Sequence, residues 1–207
     1  MNVELCRAWM VRFAELIDAD AGRLTALDAA IGDGDHGVNM QRGMRAAVAA
    51  LDESPPETPG RVLIATGRAL VAKTGGAAGP LYGTAFRRAG KALADTESAS
   101  AAELGAALVA MLGGIQELGQ AAVGDKTMVD ALTPAVSAFE AAAGDGLGAA
   151  VEAAARAAAE GTAGTVPLQA RKGRASYLGE RSIGHEDPGA ASTALLLRAL
   201  AEVTAAS

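Results

Sequence analysis

Residues 27–40 read LDAAIGDGDHGVNM, and the reading of this stretch decides between an α/β and an all-helical fold. Gly32, Gly34 and Gly37 match the G-x-G-x-x-G spacing of a dinucleotide-binding turn. Such a turn follows a strand, whereas LTALDAA, with helical spacing, precedes this one. Asp33 and Asp35 would also repel a bare pyrophosphate. The stretch is therefore a turn between helices: a short helical piece near 22–31 leads into a long helix at 37–52. An EF-hand loop beginning at Asp33 would need glycine and glutamate where Val38 and Met44 stand.

Outward from this turn, apolar residues recur at helical spacing between Gly, Pro and Asp punctuation. Long helices are predicted at 3–20, 37–52, 58–73, 80–95, 101–121, 127–143, 145–165 and 188–206. Pro80 and Pro188 fall where a first helical residue belongs, and Asp187 is a suitable N-cap. Alanine supplies 52 of the 207 residues, while one Trp, two Tyr and three Phe are the only aromatics. That composition suits closely packed helices and is poor for a sheet. The expectation is a single all-α domain over residues 1–207, a compact bundle or barrel.

The connections differ in chemistry. ESPPETP (53–59), DTESAS (95–100) and Gly144-Asp145 are plain. IGDGDHG (31–37), TGGAAG (74–79), VGDKT (123–127) and ARKGRASYLGERSIGHED (170–187) are rich in glycine, charge and hydroxyls. In an up-and-down array, alternate connections fall at the same end. The rich ones are the first, third, fifth and seventh, so all four meet at one end. VGDKT resembles a Walker A loop, but Asp125 interrupts the Gly-Lys pair and no strand leads in.

Asp28, Asp33 and Asp35 place three carboxylates within eight residues, a costly arrangement unless water or a cation neutralises them. Oxygen donors without thiols or clustered imidazoles select Mg²⁺ or Ca²⁺. Helix starts after His36, Gly79, Asp125 and Asp187 all point free N–H groups at the same end, where each is a potential anion site. Magnesium and several helix starts together suit a phosphate ligand. Three aspartates and a nucleoside diphosphate bring about six negative charges, and two Mg²⁺ would cancel about four. Arg171, Lys172, Arg174 and Arg181 stand nearby in sequence to balance the rest. His36 can touch a phosphate, cap a helix or carry a phosphoryl group. His185 reads as structural, and Leu81 and Met128 as core or pocket wall.

Other classes are excluded or disfavoured. The net charge of −6 argues against nucleic acid. Cys6 alone cannot form an internal disulfide or a multi-cysteine zinc site, and two histidines do not make a histidine-rich metal centre. No signal-peptide layout opens the chain, and no stretch of spanning length reads as strongly apolar, so a cytoplasmic protein without a membrane partner is expected.

These motifs, LDAAIGDGDHGVNM, GGAAGPLYGTAF, GDKTMVDAL and ARKGRASYLGERSIGHEDPGAAS, together resemble the nucleotide-binding L subunits of dihydroxyacetone kinases across essentially the whole chain. The resemblance implies an eight-helix antiparallel up-and-down barrel with the nucleotide, ADP or ATP, at one end. It implies that Asp28, Asp33 and Asp35 ligate two Mg²⁺ ions bridging the phosphates. His36, Gly37, Val38 and Asn39 would face the phosphates, with Ala77 and Ala78 alongside. Gly119 and Met128 would line the adenine pocket, Arg174 would approach the phosphates, and Asp187, Pro188 and Gly189 would close the site. Family members often carry serine where Ala78 stands, which leaves only a backbone N–H there.

The resemblance further implies partners. A separate K subunit holds dihydroxyacetone covalently on its own histidine, and in phosphotransferase-system forms an M subunit rephosphorylates bound ADP from a phosphohistidine. A chain that is L alone leans toward the second arrangement. A kinase subunit for another small ketose, exchanging ATP, and a nucleotide-sensing regulatory module are the alternatives. A two-metal phosphohydrolase ranks last, because no general base is visible beyond the metal ligands. The sequence leaves a homodimer open.

Overall fold

A computed structural model describes residues 1–207. Eight α-helices follow one another: α1 (Val3–Ile31), α2 (His36–Glu53), α3 (Pro59–Lys73), α4 (Ala78–Leu93), α5 (Ala101–Gly119), α6 (Met128–Ala142), α7 (Leu147–Gly164) and α8 (Pro188–Ala205). Each packs against its chain neighbours, and α8 returns to α1. Trp9 seals that last seam: buried on α1, its indole N–H donates to Leu196 O of α8 at 2.9 Å. The result is the expected eight-helix antiparallel barrel.

Five of the six aromatic residues are buried in its interior, Phe139 on α6 among them. Phe13, Tyr82, Phe86 and Trp9 form a chain of ring contacts at 6.3–6.4 Å between α1 and α4. Aliphatic and alanine side chains fill the remainder. Small residues also bring helices together. A Cβ on Gly67 of α3 would lie 2.7 Å from Gly83 O of α4, so the two backbones touch at a distance that only glycine permits.

Local chemistry explains most boundaries. Ser100 and Glu103 form a reciprocal capping box at α5, as Thr127 and Asp130 do at α6. Asp187 caps α8 by accepting from the Ala190 N–H at 2.7 Å, with Pro188 in the first turn behind it.

Several expectations are corrected. The break expected near residue 21 is absent, and α1 runs unbroken for 29 residues. Gly22 costs only about 1 kcal/mol in a helix interior, and burial of Leu24, Asp28 and Ile31 beyond it holds the helix together. Pro80 is the third residue of α4, which begins at Ala78. The 170–187 connection is not wholly irregular, because Arg174–Ser182 winds into 3-10 turns that break at Gly179, φ +58°. Finally, α5 is long and apolar enough by composition to cross a membrane. Here its buried face packs against α4 and α6 as one stave of the ring.

Candidate functional site

The four rich connections converge. A cavity of about 300 Å³ is lined by residues from all of them, including Asp33, Asp35 and His36 from the first with Asp28 just before it, Gly75–Ala78 from the third, Lys126–Met128 from the fifth and Lys172–Arg174 from the seventh. Its inner wall is apolar, made by Leu81, Ile115, Gly119, Ala121, Met128 and Val129. Leu81 and Met128, for which the sequence allowed either role, are pocket wall.

At the mouth lie the three carboxylates, whose nearest oxygens fall within 4.8 Å of one another. Their placement has a local cause. Asp28, in the last turn of α1, accepts the backbone N–H groups of Asp35 (2.8 Å) and His36 (3.1 Å) on Oδ2. It thereby caps α2 from outside. Asp35, at the usual capping position, makes no capping bond of its own, so its carboxylate is left for other work. A Cβ at Gly32 would collide with the Asp28 carboxylate, which is why a glycine is needed there. Arg174 reaches over from the seventh connection, and its Nε donates to Asp33 Oδ2 at 2.9 Å.

Asn39 Oδ1 accepts from Arg42, whose Nε also donates to Lys73 O. Its amide nitrogen is thus left for the cavity, beside Gly76. His36 Nε2 lies 2.9 Å from Ser192 Oγ, which in turn is 2.7 Å from Tyr82 Oη. Desolvation lowers the His36 pKa against the pull of Asp28 and Asp35. Burial pushes the Tyr82 hydroxyl up to about 12.

The helix starts are not equivalent. Those of α2 and α4 have no side-chain cap of their own. At α6 the Asp130 carboxylate already accepts the N–H groups of Gly124 and Thr127. At α8 Asp187 accepts the Ala190 N–H. The expectation of four comparable anion sites is corrected accordingly: the start of α4, behind Gly75 and Gly76, is the open one, with α2 shared with Asp28.

Among the residues expected in the site, Gly37 and Val38 do not line the cavity. Gly37 packs against the α1 backbone near Ala21 and Thr25, and Val38 is exposed. The others, Asp28, Asp33, Asp35, His36, Asn39, Ala77, Ala78, Gly119, Met128, Arg174, Asp187, Pro188 and Gly189, all do. Sequence reasoning missed Lys126, set aside with the failed Walker motif, and Tyr82 and Ser192, which carry no sequence signal. His185 was expected to be structural; the residue is exposed, and it contributes through its backbone carbonyl, to which Lys126 Nζ donates at 2.6 Å.

Residues 30–202 match the DAK2 domain family. The chain belongs to it. Among relatives of this DAK2 domain, the ADP-binding subunit DhaL of PEP-dependent dihydroxyacetone kinase 1 from Listeria innocua is 44% identical, with 93% of this chain and 92% of that one aligned. The corresponding subunit from Escherichia coli K12 is 41% identical, with 93% of each covered. The dihydroxyacetone kinase of C. freundii in complex with AMP-PNP and Mg²⁺ superposes with a TM-score of 0.68 at 27% identity. The DAK2 domain matches over 97% of its own length and spans about a third of that kinase chain.

The residues present fit a hard divalent cation. The donor set is all carboxylate oxygen, it converges, and the Asp35 carboxylate is not consumed by capping.

Proposed function

We propose that the chain is the ADP/ATP-binding subunit of a dihydroxyacetone kinase, a single nucleotide-binding domain working in the cytoplasm. It presents a phosphoryl group to dihydroxyacetone held covalently on a separate K subunit. A phosphohistidine-bearing M subunit of the phosphotransferase system then rephosphorylates ADP in place. The observation that carries this reading is coverage from end to end: the relatives that match over nine-tenths of their own length are named as ADP-binding subunits.

Within this reading, Asp28, Asp33 and Asp35 would hold two Mg²⁺. Bound there, the ions supply charge neutralisation for the phosphates and a Lewis-acid contact to the transferring group. The chain's own residues do the positioning. The uncapped start of α4 and the Asn39 amide face the phosphates, and the apolar wall from Leu81 to Val129 takes the base. Asp187, Pro188 and Gly189 close the rim. Arg174 offers a planar fork suited to a phosphate. Ala78 contributes no hydroxyl, only its backbone N–H. Little covalent chemistry is asked of the protein, since orientation and exclusion of water accomplish the transfer.

A second reading has a specific observation behind it. The L-erythrulose 1-kinase of Mycolicibacterium smegmatis is 41% identical over 89% of this chain, which covers 32% of that enzyme. The ketose on the partner could therefore be a four-carbon one.

Reconstitution tests both. The purified chain is expected to bind ADP with Mg²⁺ but to phosphorylate neither dihydroxyacetone nor erythrulose alone, and to become active when a K-type subunit and a phosphoryl source are added. Ketose phosphorylation by the isolated chain would overturn the division of labour, and inactivity with every partner would overturn the kinase assignment.

A further inference from the structure

Lys126 is the one buried lysine or arginine of the protein, 1% exposed, and the phosphate-handling reading gives it nothing to do. It stands in the α5–α6 connection at φ +62° and lines the cavity, as a phosphate-binding lysine would. Its hydrogen bonds go elsewhere. Nζ donates to Thr165 O at 2.9 Å, Leu168 O at 3.1 Å and His185 O at 2.6 Å. An ammonium has three protons to donate, so none remains for a ligand.

The three acceptors share a location. Thr165 and Leu168 follow the end of α7, where carbonyls lose their helical partners and the helix dipole favours a cation. His185 lies two residues before the Asp187 cap of α8. One side chain therefore ties both feet of the excursion between α7 and α8. Two weaker stitches cross the same feet: Gly184 N–H donates to Val166 O at 2.8 Å, and Asp187 N–H to Thr165 Oγ1 at 3.0 Å. Arg171 N–H, donating to Asp125 O at 3.0 Å, joins the excursion to the backbone next to the lysine. The excursion carries Lys172 and Arg174, and Arg174 hangs over Asp33 from it.

We infer that Lys126 is a positioning residue: its ammonium clamps the feet of the α7–α8 excursion and so holds Arg174 above the carboxylate cluster. The part concerning turnover rests on the kinase reading, whereas the clamp itself does not. A lysine is suited to this because a compact ammonium on a long stem can meet three carbonyls converging from different directions, which a planar guanidinium cannot.

The test uses the full chain with Lys126→Met, which keeps the stem and removes the donors, and Lys126→Arg, which keeps the charge. Hydrogen exchange should accelerate at least about tenfold in residues 169–184 of Lys126→Met, while α1 and α4 keep their protection. With partner subunits present, kcat should fall more than ADP affinity. Removing Arg174 in the Lys126→Met background should cost less than about half the fold-change it costs in the wild type, because its position is already lost. Lys126→Arg should recover part of both. Unchanged exchange in 169–184, or an equal cost of Arg174→Ala in both backgrounds, would overturn the assignment. Should Lys126→Met fail to fold, the wild type decides. Three held ammonium protons give a resolved, slowly exchanging ¹⁵N–¹H signal for Lys126, and a water-averaged signal would remove the clamp. If loop exchange responds while no partner yields transfer, the clamp stands and the kinase reading falls.

Discussion

Arg174 Nε and Asp33 Oδ2 lie 2.9 Å apart and join the last rich connection to the first across the mouth of the cavity. The arginine side chain is 71% exposed and the aspartate 38%, so the pair adds little to stability. Its effect is electrostatic: a fork of donors stands beside three carboxylates, at the edge of the space assigned to the phosphates. Arg174→Ala should therefore leave Tm nearly unmoved and lower turnover of the reconstituted kinase. Loss of a charge-assisted contact of about 1.5–3 kcal/mol corresponds to roughly 10- to 160-fold in rate. A large fall in Tm with turnover per folded molecule intact would contradict this.

Asp33→Ala should remove metal-dependent nucleotide binding and keep the helical fold. Asp28 is tied to the start of α2, whereas Asp33 holds only an exposed arginine, so its loss does not unpick a helix end. Calorimetry should show ADP affinity in Mg²⁺ reduced by at least about tenfold, the scale of one lost charge-assisted contact, with the circular dichroism spectrum unchanged.

The Asp187 carboxyl is pushed up from 3.8 to about 7, chiefly by desolvation, with the Ala190 N–H opposing and the charge of Asp130 adding. Between these values the folded chain holds a proton that the unfolded chain has released. Its contribution to stability is therefore fully present below about pH 4 and is lost as the pH rises through about 7. Asp187→Asn keeps an oxygen for the Ala190 N–H and cannot titrate. Measured without nucleotide, wild-type Tm should decline relative to Asp187→Asn between pH 5 and pH 8. A constant difference across that range would show that the group does not titrate there.

Gly67→Ala should destabilise the barrel by about 1–3 kcal/mol, the usual cost of overpacking, and lower Tm by several degrees. The added methyl meets Gly83 O and Arg87 N as well as Arg87 Cγ, so a swing of the arginine side chain alone would not relieve it. Nucleotide affinity of the folded fraction should be unchanged, because the contact lies on the α3–α4 seam and outside the cavity lining. A Tm equal to wild type would mean that the seam can open at no cost.

Much of this was legible in the chain. Helical periodicity and the alternation of plain and rich connections predict the ring and the end at which ligands gather, because an antiparallel array leaves alternate loops no choice of side. The carboxylate cluster was legible for the same reason that it is costly: three like charges in eight residues need a purpose. Cα-level alternation says nothing, however, about which donors are already spent. That Asp28 caps α2, that Asp130 occupies the start of α6, and that Lys126 is exhausted by three carbonyls are outcomes of tertiary geometry. Gly37 shows the converse, since its motif position suggested a ligand and its surroundings show a helix contact. The expected break between 3–20 and 22–31 is absent because packing on both sides of Gly22 overrides a small local penalty.

An even number of antiparallel staves also fixes where the ends of the chain emerge. α1 runs toward the cavity and α8 runs away from it, so Val3 and Ala205 both lie at the far rim, beside the plain connections. Anything joined to either terminus is kept roughly a helix length, about 25 Å, from the ligand mouth. The same unit can thus serve untethered, as in relatives of equal length, or as one third of a longer kinase, without redesign of its business end. For the experimenter, affinity tags, fluorophores or surface-coupling chemistry at either terminus should leave access to the mouth undisturbed.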